Sequence, residues 1–167
     1  MGLFSSKPKR NFLDILGLQI SPELESRLVE ISKEESFTDY AVDIKENFEL
    51  FGRAIFKFFD HKKNLTGSAS FNLILENTGQ SLTINKIIKL VDCISAEYGK
   101  DRTGKTKWNE EDENTISTYW EGREWIIDKK GNSYSDYKPH CIQINLHFHL
   151  EEGIEFSILS ANNLINQ

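Results

Sequence analysis

The chain has 167 residues, 38% hydrophobic and 28% charged, with 26 acidic against 20 basic side chains and a net charge of -6. That length suits one globular domain, and three Pro and ten Gly exclude a linker-like or collagen-like chain. The acidic balance argues against a broad nucleic-acid surface, which depends on clustered Lys and Arg, and no stretch approaches the ~20 apolar residues of a membrane span.

Residues 1–11 read as a flexible basic arm, with Lys7, Lys9 and Arg10 around Pro8, ahead of a single domain over residues 12–167. Met1-Gly2-Leu3-Phe4-Ser5-Ser6 fits the minimal acylation pattern at Gly2. The basic cluster behind it would supply the second signal that stable membrane anchoring needs; the plainer reading is a solvated leader. Phe12 to Leu18 is too short for a signal-peptide core and contains Asp14, so it reads as a docking turn and secretion is not indicated. Cys93 and Cys141 stand in apolar-rich segments and read as buried free thiols of a reducing, cytoplasmic setting. There the sequon Asn64-Leu65-Thr66 has no glycosylation role.

Ser21-Pro22-Glu23 predicts a helix start: a capping hydroxyl, a proline in the first turn and an acid at the positive dipole end. Leu24, Leu28 and Ile31 then share a helical face. Residues 48–60 fit either helical or alternating spacing; the aromatic content and Gly52 favour a strand. Ala69, Phe71, Leu73 and Leu75 alternate in the next strand. Ile84, Ile87, Ile88, Val91, Ile94 and Tyr98 predict a helix from Thr83, closed by Gly99. Residues 100–114 read as a polar loop. Strands are expected at Ile116–Trp120 and Arg123–Ile127, joined by a Glu121-Gly122 turn that pairs Thr118 with Trp125 and Ile116 with Ile127.

The clearest alternation is at the C-terminal end. Ile142, Ile144, Leu146, Phe148 and Leu150 point one way, and Cys141, Gln143, Asn145, His147 and His149 the other. A Glu151-Glu152-Gly153 hairpin loop would set Leu150 opposite Ile154, His149 beside Glu155 and His147 beside Ser157. The expected fold is α+β: a single, mostly antiparallel β-sheet of about five to six strands, covered on one face by one or two α-helices.

Four features carry candidate chemistry. Gly99 to Thr106 spells G-x-x-x-x-G-K-[ST], the phosphate loop of nucleotide hydrolases, which needs a strand before it and a helix after it. Here a helix precedes it, and Glu110, Glu111, Asp112 and Glu113 follow where phosphate would bind, so the match reads as a decoy. His147 and His149 share a strand face with Gln143, Asn145 and Glu155, and two imidazoles at alternate positions could meet one metal. No third ligand is evident, and the plainer reading is a solvated face. The acidic run 110–113 lacks the alternate spacing of a calcium loop, and reads as a solvated loop or a docking site for a basic partner. Trp120 and Trp125 belong in the sheet, whereas Trp108, in a polar loop, reads as an exposed anchor. No nucleophile has a catalytic context.

The expectation is therefore a non-catalytic protein-binding domain. Its concrete form is a small acidic neutralising protein that covers a basic toxin or enzyme through Trp108, Glu110, Glu111, Asp112 and Glu113. No cofactor, metal or nucleic acid is expected, and membrane association is not favoured. The alternatives are an enzyme or metal protein using the His147/His149 face, and a peripheral membrane protein using the basic arm.

Overall fold

The computed structural model describes residues 9–10, 12–67, 71–116, 119–149 and 153–159. The readings at residues 1–8, at Ala69, at Thr118 and at 150–152 lie outside these, as do the side chains of Tyr119, Glu121 and His149.

Alternating apolar and polar residues build a single antiparallel sheet. Four strands run in chain order: β1 (Val29–Lys33), β2 (Thr38–Asp43), β3 (Arg53–Phe58) and β4 (Phe71–Glu76). They are followed by β5 (Tyr119–Ile127), β6 (Ser133–Tyr134), β7 (Ile142–His149) and β8 (Gly153–Leu159). The order across the sheet is β1-β2-β3-β4-β8-β7-β5-β6, so β8 joins two halves. The class is α+β with one antiparallel sheet, but of eight strands rather than five or six. The difference lies in β1, which replaces an expected helix, in β2 and two-residue β6, which were not expected, and in β5, which joins two expected strands.

One sheet face forms the core. Ala54, Phe56 and Phe58 lie beside Leu75, Leu73 and Phe71, and those beside Phe156 and Ile158; all are buried. Ile142, Ile144 and Leu146 continue the layer. Burying each of the Leu, Ile and Phe side chains stabilises the fold by about 1.5–3 kcal/mol. The same cluster includes Ile87, Leu90, Val91, Ile94 and Tyr98 of α3 (Ile84–Tyr98), and Phe12, Leu13, Ile15 and Leu16 of α1 (Phe12–Leu16). Phe12 stacks on Phe156 at 4.7 Å. On the opposite sheet face Arg53, Ile55, Asn72, Ile74, Asn145 and Ser157 are only half-buried.

Local sequence explains where the elements begin and end. α3 follows Thr83 and stops at Gly99, whose φ of 86° suits glycine. The Ser21 cap also forms, its hydroxyl accepting from the Leu24 amide at 3.1 Å. Yet α2 (Pro22–Ser26) is one turn long. The chain then straightens into β1, where the β-branched Val29 and Ile31 stand 65% and 45% exposed rather than on a helix face. The strand expected at 48–60 begins only at Arg53. Before it, the Glu46 carboxylate gathers the amides of Phe48, Leu50 and Phe51 and holds the chain in a turn.

Two pairings differ from the sequence reading. Glu121-Gly122 is a bulge within continuous β5, not a turn. Trp125 pairs with Ile144 and Ile127 with Ile142, while Ile116 caps the helix before β5. Gly122 has φ 85°, and a Cβ there would sit 1.6 Å from the Leu146 carbonyl oxygen. Only glycine fits the close approach of β7. In the β7–β8 hairpin, Phe148 rather than Leu150 faces Ile154. The pairing is shifted by two residues, so His147 lies opposite Glu155, Asn145 opposite Ser157 and His149 opposite Gly153. A shift of two leaves every side chain on its expected face.

Candidate functional site

The acidic run is helical: α4 spans Glu110–Thr115. It has no apolar face, and its start is fixed by a reciprocal cap. The Asn109 side chain accepts from the Glu111 and Asp112 amides at 3.0 and 3.2 Å, and Asp112 Oδ2 accepts from the Asn109 amide at 3.0 Å. The signal for this helix was present as Asn-x-x-Asp, a variant of the usual capping spacing.

Asp112 points inward while its neighbours point out. Its Oδ1 accepts from Trp120 Nε1 at 3.1 Å and Arg123 Nε at 3.2 Å, and its Oδ2 from an Arg123 terminal nitrogen at 2.5 Å. That same nitrogen also donates to the Lys107 carbonyl at 2.8 Å, and the other terminal nitrogen of Arg123 donates to Asp101 Oδ2 at 2.9 Å. Arg123, Asp101 and Asp112 are buried, with side chains 0%, 1% and 2% exposed. Burial alone would raise the Asp112 pKa, but the Arg123 and Trp120 hydrogen bonds hold it below the usual carboxylate value. Arg123 reaches this site because Trp125 and Ile127 of β5 share its side of the sheet.

Glu110, Glu111 and Glu113 are exposed on α4, with Glu111 Oε2 2.7 Å from Lys105 Nζ. Trp108 is not the exposed anchor expected. It is half-buried, packed on the core, with its ring 5.2 Å from that of Trp120. Of the five residues singled out for a partner, the structure thus places three carboxylates outward and turns Asp112 and Trp108 inward. The stretch matching a phosphate loop follows α3 and wraps round Asp101. Asp101 Oδ1 accepts from the Thr103 amide and hydroxyl, both at 2.9 Å, and from the Lys105 amide at 2.8 Å. Those amides, which a phosphate would require, already face a carboxylate.

The polar sheet face is a second, separate assembly. Gln143 Nε2 donates to Glu124 Oε1 at 2.5 Å, and Asn145 Nδ2 lies 3.5 Å from Ser157 Oγ. His147 Nε2 stands 3.7 Å from Glu155 Oε1. The registers extend that pair into one row across five strands: His147, Glu155, Glu76, Arg53 and Asp43. Arg53 approaches Glu76 at 3.6 Å. Among the described residues no group of three or more His, Cys, Asp and Glu side chains could hold a metal. His140 is exposed and its ring meets Tyr134 edge-on, while Cys141 is fully buried and Cys93 half-buried. No helix among the described residues is long and apolar enough to cross a membrane.

The fold and sites define an α+β sheet protein bearing a capped acidic helix and a polar sheet face. No family model, curated protein or solved structure matches the chain.

Proposed function

We propose that the chain is a non-catalytic protein-binding domain, a small acidic neutralising protein that covers a basic toxin or enzyme. The observation that supports this most is the construction of α4. Glu110, Glu111 and Glu113 stand in solvent on a helix that Asp112 ties to a buried arginine. The carboxylates are therefore presented by a fixed backbone, which lowers the ordering cost of association, and the net charge of -6 steers a basic surface toward them. The contact is electrostatic and is made by the three outward glutamates rather than by Trp108.

The test compares wild type with Glu110→Lys/Glu113→Lys as bait in low-salt extracts of the native source, followed by mass spectrometry and titration of the retained protein. A stoichiometric basic partner bound at least tenfold more weakly by the double variant is the expected result. Equal binding by the variant, or no stoichiometric partner, would remove the proposal.

A further inference from the structure

The sheet ends at β1, and the outer side of that strand has no neighbouring strand among the described residues. The phase of its backbone follows from the hairpin beside it. The Glu34 amide donates to the Phe37 carbonyl at 2.9 Å and closes the β1–β2 turn. Hydrogen-bonded and non-hydrogen-bonded pairs then alternate along an antiparallel ladder. Lys33, opposite Thr38, therefore aims its N–H and C=O away from β2, and Ser32, opposite Asp39, aims them toward it. Ile31 is the extra residue of a bulge, and Glu30, opposite Tyr40, aims outward again.

The bulge also sets the side chains. Glu30 and Lys33 share the face of Tyr40 and Thr38, while Val29 and Ser32 share the opposite face with Ala41 and Asp39. Ile31 joins that second face, lining an open groove with Val29, Ala41 and Arg53. Val29, Glu30, Ile31 and Lys33 are all exposed. The strand thus offers outward backbone groups, one acid, one base and two bare β-branched side chains. Bulges and charges ordinarily guard an edge against pairing. Here their placement matches a copy of themselves.

We propose that β1 pairs antiparallel with β1 of a second copy of this chain, joining the two sheets edge to edge about a twofold axis between Ile31 and Ser32. Among registers centred on the strand, this one matches the faces. Ile31 opposite Ile31 would set Val29 against Lys33, and Ser32 opposite Ser32 would set Ile31 against Lys33; in both cases the side chains lie on different faces. With the axis between them, Glu30 meets Lys33 of the second copy, and the twofold repeats the pair. Both residues aim their backbone groups outward, so each contact is a ladder pair as well as a pair of opposite charges. The two Ile31 side chains become diagonal neighbours across the axis. Charge complementarity therefore selects this chain itself as the occupant. The pairing also terminates, because the far edge of the sheet is two-residue β6. The contact uses none of the α4 carboxylates and does not depend on their role.

The experiment is sedimentation equilibrium of the full chain at physiological ionic strength, where the repulsion between two net charges of -6 is screened beyond about 8 Å. A monomer–dimer equilibrium is the expected result. Glu30→Lys alone and Lys33→Glu alone each place like charges opposite one another in both symmetric pairs. Each should weaken self-association by a factor on the order of ten. An equimolar mixture of the two single variants should recover the wild-type affinity, because both pairs are then opposite in sign. The double variant Glu30→Lys/Lys33→Glu should recover it by itself, and thermal midpoints measured at dilution verify that all variants fold. A chain that stays monomeric at millimolar concentration would overturn the proposal and leave the edge to a strand of another protein. A dimer indifferent to the single variants, or a mixture that stays as weak as they are, would overturn it as well.

Discussion

Arg123 is the residue on which the acidic helix depends. Its guanidinium lies between two buried carboxylates, so removing it leaves both without their counter-charge. Arg123→Met should cost about 3–5 kcal/mol, read from urea unfolding. Asp112 has a lowered pKa, so its contribution is present above the ordinary carboxylate range and is lost as pH falls through the lowered value. The urea midpoint should therefore drop on acidification below about pH 4, and Asp112→Asn should flatten that dependence. The two neighbouring tryptophans separate packing from hydrogen bonding. Trp120 Nε1 donates to Asp112, whereas Trp108 Nε1 is buried with no partner among the described residues. Trp120→Phe should cost about 1–3 kcal/mol more than Trp108→Phe in the same unfolding assay. Little of this was legible in the sequence. Arg123 shares the alternation of Trp125 and Ile127, which marks it as inward, but burial of a charge runs against the general rule. Nothing in four consecutive acids shows which one turns in.

Elements were legible where one periodicity acted alone. The Thr83–Gly99 segment reads as a helix because its apolar spacing and its terminating glycine agree, and α3 has those bounds. Ile94 lies fully buried on that face, so Ile94→Ala should cost about 2–5 kcal/mol by urea denaturation. The β7 and β8 faces were legible for the same reason, but their register was not, since a period of two is blind to a shift of two. β5 was divided wrongly because a glycine at positive φ serves a hairpin turn and a bulge equally well. The distinction lies in the contact with the Leu146 carbonyl, which belongs to another strand. Gly122→Ala should lower stability by on the order of 3 kcal/mol, measured by thermal unfolding. α4 was missed because hydrophobic periodicity cannot detect a helix held by its cap and by one buried carboxylate.

At the scale of the whole molecule, one core cluster draws on both halves of the sheet and on α1 and α3. Thermal unfolding followed by tryptophan fluorescence and by far-UV dichroism should give coincident single transitions. Strand order was the part that no local pattern could carry. The alternation in β4 and β8 shows that each has a buried face, not that they are neighbours. That adjacency has a consequence for biosynthesis. The strand that closes the middle of the sheet, β8, is made after α3, α4, β5, β6 and β7. Until it emerges, β4 and β7 each have a bare flank, and every apolar side chain destined to meet Phe156 is uncovered. The two halves of the sheet cannot join through β4 and β7 until residues 153–159 have been made.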